Sequence, residues 1–153
     1  MAEQRQQRIV VGVDGSSGSL VAARWAFDVA KARGAGLELV YTWHLPYLVD
    51  ASGYSLSVQG STGEWNDMAV AADEVMAEIV GRLGDTSGVE LTTRAVAGAP
   101  AATLMETAKG ADLLVVGRRG HGGFLGLHVG SVATQLSHHF DGVLVIVPEI
   151  DAA

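Results

Sequence analysis

The sequence predicts an α/β protein with one doubly wound, five-stranded parallel sheet and helices on both faces. Short apolar runs alternate with segments whose apolar residues recur at helical spacing, in the order β-α-β-α-β-α-β-α-β. Strands that alternate with helices form parallel sheets, covered on both faces and joined by right-handed crossovers. The length of 153 residues suits one domain of ordinary size. We therefore expect a single domain over residues 8–149, preceded by a flexible tail at residues 1–7.

The first half of the chain carries two predicted strands and two predicted helices. The apolar run at residues 9–13 suits a central strand. Ser16 or Ser17 can cap the helix that follows, which Gly34 ends. Residues 37–42 form the second predicted strand. A connection over residues 43–63 follows, and loops of this length are usually functional or disordered. The next helix has an apolar stripe that we interpret as core. Its members are Trp65, Met68, Ala69, Ala72, Val75, Met76, Ile79 and Leu83.

The second half of the chain completes the alternation. Residues 89–96 read as the third strand. A helix begins at Pro100, where proline fits because its missing N–H is not needed in the first turn, and it ends near Gly110. The fourth strand is predicted over residues 112–116, the last helix over 131–139 and the fifth strand over 143–147.

Composition excludes several classes of protein. The formal net charge is −7, which argues against nucleic acid and anionic membranes as main partners. The chain has no cysteine, so disulfides and thiolate metal sites are excluded. No apolar run approaches the roughly 20 residues of a membrane helix, and the N-terminus lacks the apolar region of a signal peptide. We therefore expect a cytoplasmic protein.

The most informative motif is the glycine-rich segment between the fourth strand and the last helix. Its spacing is G-x2-G-x9-G-S, with glycines at 117, 120 and 130 and serine at 131. Glycines let backbone N–H groups face a ligand closely, and a helix N-terminus adds unpaired N–H donors and positive potential. A phosphate site is one interpretation of the segment, and a plain surface loop is the other. The P-loop pattern GxxxxGK[ST] and the dinucleotide pattern GxGxxG after a strand are both absent.

The same spacing resembles the nucleotide loop of the universal stress protein family. Residues 11–16 resemble that family's first strand and turn, residues 96–100 its third strand end and following helix, and residues 111–117 its fourth strand. The resemblance covers nearly the full chain and implies the strand order 3-2-1-4-5. In a doubly wound sheet, ligands bind at the carboxyl ends of the strands where the strand order reverses. The resemblance places the first and fourth strands there.

The resemblance implies a site for ATP, with or without magnesium. Asp14 would accept hydrogen bonds from the ribose hydroxyls, although an aspartate there can equally hold its own turn. Gly12 would let the adenosine approach, and the adenine would rest near Val40 and Gly98. The nucleotide-binding residues expected on this basis are Gly12, Asp14, Val40, Gly98, Gly117, Arg118, Arg119, Gly120, His121, Gly122, Gly123, Gly130, Ser131 and Val132.

The phosphate end of that site has alternatives of its own. Ser131 would donate to a phosphate oxygen, or serve as an ordinary N-cap. Arg118, Arg119 and His121 would neutralise phosphate charge, although successive side chains diverge and arginines often point to solvent. Gly122 and Gly123 add freedom to the loop or merely fill it.

The expected function is that of an ATP-binding regulator or sensor in stress response, with an adenine nucleotide as its small-molecule partner. We expect a homodimer through the fifth strand, Val143 to Val147, because an open apolar edge strand recruits another chain. No catalytic set is evident, and Asp14 alone is a thin magnesium site. A slow ATPase or nucleotide hydrolase on the same fold, and an interaction module without nucleotide, are the alternatives.

Overall fold

The fold is a parallel sheet wrapped by four helices, taken from a computed structural model that describes residues 3–43, 48–49, 55–56, 62–120 and 129–149. In chain order the elements are β1 (Arg8–Val13), α1 (Ser17–Arg33), β2 (Gly36–Trp43), β3 (Leu48–Val49), β4 (Ser55–Leu56), α2 (Thr62–Leu83), β5 (Leu91–Ala97), α3 (Pro100–Thr107), β6 (Leu113–Gly117), α4 (Ser131–His139) and β7 (Leu144–Val147).

The main sheet has the predicted strand order. Its strands lie in the order β5-β2-β1-β6-β7 and all pair in parallel. Leaving out the two short strands, this is the order 3-2-1-4-5. Strand β1 lies between β2 and β6, so the order reverses at β1 and β6. The remaining strands, β3 and β4, pair with each other in antiparallel fashion, and the sequence analysis had placed only a loop there.

The sheet separates two apolar layers, one packed with α1 and α2 and the other with α3 and α4. Side chains of a strand alternate between the two faces of its sheet, and β1 follows this rule. Ile9 and Val11 pack with α1 and with residues of α2, including Met76. Val10, on the opposite face, packs with α3 and α4, including Leu104.

The ends of α1 confirm the capping residues expected from sequence. Ser16 is the N-cap, and its side chain accepts a hydrogen bond from the N–H of Ser19 at 3.2 Å. Gly34 ends the helix in the left-handed conformation with φ of 64°, which glycine adopts without steric cost. The Ser16 cap fixes the turn between β1 and α1, at the carboxyl end of β1.

Trp65 departs from the predicted core stripe of α2. Ala72, Met76 and Ile79 are buried as expected, whereas Trp65 is 40% exposed. Its ring meets Trp43 edge-on, with 5.5 Å between the ring centroids. Trp65 lies in the first turn of α2 and Trp43 ends β2, so the pair packs at the end of the sheet rather than inside it.

The segment before β1 is exposed but has specific contacts. Arg5 forms an ion pair of 3.0 Å with Asp112 and donates to the carbonyl of Gly110 at 3.1 Å. The carbonyl of Gln7 accepts a hydrogen bond from Gly36 at 2.9 Å. These contacts join residues 3–7 to the amino-terminal edge of the sheet, opposite the candidate site.

Candidate nucleotide site

A cavity of about 300 Å³ opens at the carboxyl ends of β1, β2 and β6. The first turns of α1, α3 and α4 complete its wall. It therefore lies at the reversal of strand order, where doubly wound sheets bind their ligands. Its lining consists of Gly12, Val13, Asp14, Ser19, Val40, Thr42, Pro100, Leu104, Val116, Gly117, Arg118, Arg119, Gly120, Gly130, Ser131, Val132 and Ala133.

Most of the residues expected from sequence come together in this cavity. Those in its lining are Gly12, Asp14, Val40, Gly117, Arg118, Arg119, Gly120, Gly130, Ser131 and Val132. Gly98 is not among the described lining residues. It lies in the turn from β5 to α3, where its N–H donates to the carbonyl of Trp43 at 2.8 Å. The remaining three, His121, Gly122 and Gly123, lie outside the described residues.

Most of the apolar wall of the cavity was not predicted from the sequence. Leu104, Val116 and Ala133 line it and belong to the buried cluster between the sheet and helices α3 and α4. They join Val40, which was expected from sequence. Helical spacing from Pro100 places Leu104 on the same face of α3, four residues later. It does not indicate that this face borders a cavity.

Asp14 holds the turn between β1 and α1. Its Oδ1 accepts a hydrogen bond of 2.9 Å from the N–H of Ser16 and another from the Ser16 hydroxyl. The N–H of Asp14 donates to the Ser19 hydroxyl at 3.2 Å. The turn-holding role considered from sequence is therefore present, and the carboxylate also lines the cavity.

The start of α4 presents backbone donors to the cavity. Gly130, not Ser131, is the N-cap, with extended φ and ψ of −71° and 166°. The first intrahelical bond runs from the N–H of Thr134 to the carbonyl of Gly130 at 3.0 Å. The N–H groups of Ser131, Val132 and Ala133 therefore precede the helix's own ladder. All three residues line the cavity, and they carry the partial positive charge of the helix end.

The glycines let neighbouring segments of the chain approach each other closely. A β-carbon at Gly117 would lie 2.8 Å from the carbonyl oxygen of Gly18, and one at Gly18 would lie 2.5 Å from that of Arg119. A β-carbon at Gly120 would collide with Oδ2 of Asp14. These contacts pack the start of α1 against the segment after β6.

Gly12 also makes room for the protein itself. A β-carbon there would lie 2.7 Å from Cδ1 of Leu104 and 3.3 Å from Cγ1 of Val116. These two side chains border the space beside Gly12, and the approach of an adenosine to Gly12 stays a prediction. Gly12 shapes the cavity by admitting Leu104 into its wall.

Arg118 and Arg119 differ although they are adjacent. The peptide of Arg118 is held on both sides: its N–H donates to the carbonyl of Val147 at 2.9 Å, and its carbonyl accepts from Gly130 at 2.7 Å. Arg118 is half-buried, and its Nε is shielded from solvent with no hydrogen-bond partner among the described residues. Arg119 is exposed.

The described part of the cavity offers little to a metal ion. Asp14 is the one carboxylate among the lining residues, and its Oδ1 is engaged by Ser16. Across the described ranges, no three His, Asp or Glu side chains cluster in a way that could hold a metal. Within those residues, magnesium would need most of its oxygen ligands from phosphate and water.

Fold and cavity together define a doubly wound α/β protein with a cavity at the switch point between β1 and β6. The sequence model of the universal stress protein family matches residues 6–148. The chain belongs to the universal stress protein family.

Individual relatives agree with this assignment. The chain is 34% identical over 138 residues to universal stress protein Rv2623 of Mycobacterium tuberculosis, covering 90% of this chain and 43% of the relative. It thus spans less than half the length of that protein.

In the described part of this chain, no helix is both long and apolar enough to cross a membrane.

Solved structures show the same fold. Universal stress protein UspA from Lactobacillus plantarum superposes with a TM-score of 0.74 at 24% identity, covering 95% of this chain and 99% of that one. A universal stress protein in complex with cAMP superposes with a TM-score of 0.68 at 26% identity, covering 95% and 98% of the two chains.

Proposed function

We propose that this protein binds an adenine nucleotide, ATP foremost, in the cavity between β1 and β6 and acts as a nucleotide-linked regulator. One observation carries the proposal: the cavity joins an apolar wall to the donor-rich start of α4. The cAMP bound by a relative of 26% identity supports an adenine nucleotide as the ligand class.

The two sides of the cavity suit the two halves of a nucleotide. Val40, Leu104 and Val116 offer an apolar surface for a purine. The N–H groups that begin α4 offer donors and positive potential to phosphate. The volume of about 300 Å³ lies at the lower end of the range for small-molecule pockets, which is roughly 300–1,000 Å³.

Calorimetry on the wild type and on Gly130→Asp tests the proposal. Asp is a favoured N-cap, and position 130 has the extended backbone that such a cap adopts. Its β-carbon would lie 3.3 Å from the carbonyl oxygen of Arg118, so a small shift accommodates it. The new carboxylate then accepts hydrogen bonds from the N–H groups at the start of α4, and its negative charge repels phosphate. We expect the variant to fold and to lose ATP binding.

Gly81→Asp is the matched control. It adds the same charge in α2, outside the cavity lining, where a side chain meets nothing within 4 Å. We expect its ATP affinity to equal that of the wild type. A folded Gly130→Asp protein that binds ATP as tightly as the wild type would contradict the proposed site.

A further inference from the structure

The side chain of Leu104 fills the space that Gly12 leaves beside β1. A β-carbon at Gly12 would lie 2.7 Å from Cδ1 and 3.1 Å from Cδ2 of Leu104. The end of the leucine side chain on α3 therefore lies against the α-carbon of β1. Gly12 is not among the described glycines with positive φ, so its backbone could carry a side chain. The nearness of Leu104, and not the backbone conformation, is what favours glycine at position 12.

Leu104 closes the apolar end of the cavity from below. It lines the cavity, yet only 3% of the residue is exposed. Most of its side chain is packed in the apolar layer between the sheet and helices α3 and α4. Because protein interiors are close-packed, shortening such a side chain leaves a hole that the surroundings fill only in part. Since Leu104 borders the cavity, that hole would open into the cavity.

Leu114 of β6 provides the contrast within the same layer. It belongs to the same apolar cluster and is fully buried, but it is not among the described lining residues. Shortening Leu114 to alanine removes the same atoms from the same layer. The hole would then form at a residue that does not border the cavity.

We propose that Leu104 is the residue that sets how large a base the cavity accepts. It takes up the room beside Gly12, so the wild type binds an unsubstituted purine and rejects a purine with an added alkyl group on the edge that faces α3. This inference rests on the proposed function, because it names the residue that limits the base of the proposed adenine nucleotide. The cavity volume of about 300 Å³, at the lower end of the range for small-molecule pockets, agrees with such a limit.

Calorimetry with ATP and with ATP analogues that carry one added methyl group at N6, C2 or C8 of adenine tests the inference. The quantity compared is the affinity of each analogue relative to that of ATP for the same protein. We expect Leu104→Ala to raise this ratio for at least one analogue by about 10- to 200-fold over the wild type, as one methylene group does in an apolar pocket. Leu114→Ala is the matched control and should leave every ratio unchanged.

The double variant Gly12→Ala/Leu104→Ala tests whether the new room is the space beside Gly12. The β-carbon at position 12 points to where the end of Leu104 lay, so the alanine methyl group would occupy part of the hole. We expect this variant to lose most of the gain that Leu104→Ala shows for the methylated analogue. Circular dichroism checks that each variant is folded.

Three results overturn the inference while the proposed function stands. The first is a wild type that binds every methylated analogue as tightly as ATP. The second is a folded Leu104→Ala variant whose ratios equal those of the wild type or of Leu114→Ala. The third is a double variant that keeps the whole gain. A wild type that does not bind ATP overturns the proposed function, and the role of Leu104 with it.

Nuclear magnetic resonance on the wild type keeps the test independent of how Leu104→Ala folds. The leucine methyl groups are labelled with 13C, and the Leu104 signals are identified by their absence in Leu104→Val. We expect adenosine to shift the Leu104 signals more than those of Leu114, because an aromatic base displaces the signals of methyl groups close to its ring. Inorganic tripolyphosphate should leave the Leu104 signals in place. Leu104 signals that adenosine does not move overturn the inference.

Discussion

The carboxylate of Asp14 lies directly against the α-carbon of Gly120, so that a β-carbon at position 120 would collide with its Oδ2. The other carboxylate oxygen accepts hydrogen bonds from Ser16 in the turn before α1. Asp14 thus stands between two loops that are more than 100 residues apart in sequence. Glycine at 120 leaves room for this contact within the chain before any ligand is considered.

Gly117→Ala should lower the free energy of unfolding by about 1–3 kcal/mol, as overpacking does. Its β-carbon would lie 2.8 Å from a backbone carbonyl oxygen of α1, which has no flexible side-chain end to move aside. Urea unfolding followed by circular dichroism measures the effect. Gly81→Ala in α2, where nothing lies within 4 Å, should instead raise stability by about 0.5–1 kcal/mol. Equal effects at the two positions would contradict the close packing of Gly117.

Ser131→Ala should weaken ATP binding by about 1–3 kcal/mol if the hydroxyl meets a charged phosphate oxygen. Ser131 is exposed at the start of α4 and lines the cavity. Ser137→Ala is the control, because Ser137 is an exposed serine on the same helix whose hydroxyl donates to Thr134 at 2.7 Å. The two variants are compared with the wild type by calorimetry. Unchanged affinity in Ser131→Ala would remove the hydroxyl from the phosphate site.

ATP hydrolysis by the purified protein should be slow, well below the median enzyme turnover of about 10 per second. The Asp14 carboxylate, the one acid among the described lining residues, is engaged in its own turn. Phosphate release measured over hours, with Ser131→Ala as the binding-deficient control, tests this. Rapid release that disappears in Ser131→Ala would reassign the protein as an enzyme.

We propose a homodimer through β7, and the structure changes how this should be tested. Strand β7 lies last in the sheet order, and no other described strand pairs with its outer edge. Val147 is buried among the α1 side of the core, so a lysine there would disrupt the fold rather than an interface. Val143, just before the strand, is 59% exposed and is the better position.

Val143→Lys should convert a wild-type dimer into a monomer, because two like charges would meet across a two-fold axis. Val70→Lys is the control, since Val70 is 58% exposed on α2. Sedimentation equilibrium at micromolar concentration measures the mass of each protein. A monomeric wild type, or a dimeric and folded Val143→Lys variant, would place any interface elsewhere.

Periodicity predicted the elements well because each is long enough to show its period. The five main strands and four helices lie within about three residues of their predicted bounds. Strands β3 and β4 were missed because two residues cannot display alternation. Trp65 was assigned to the core because helical spacing identifies a face but not where the neighbouring sheet ends.

Most of the site residues expected from sequence lie together around the cavity, and their binding roles stay predictions. The spacing of Gly117, Gly120 and Gly130 correctly indicated segments that meet around one cavity. It could not reveal that Gly117 contacts Gly18 or that Gly12 contacts Leu104, since those partners are set by tertiary packing. The N-cap was considered for Ser131 as the alternative to a phosphate contact, and Gly130 holds that position, because both residue types are acceptable caps.

The side chains of β1 alternate between two apolar layers, so this strand should not tolerate insertions or deletions. Ile9 and Val11 pack in one apolar layer and Val10 packs in the other. Gly12 has no side chain, and Leu104 packs against it. Inserting or deleting a single codon within β1 would exchange the two faces for every following position of the strand. A neighbouring valine would then take the position of Gly12, and its side chain would collide with Leu104. Changes of length should therefore be tolerated in the connections and rejected in this strand, which a library of single-codon insertions and deletions would reveal.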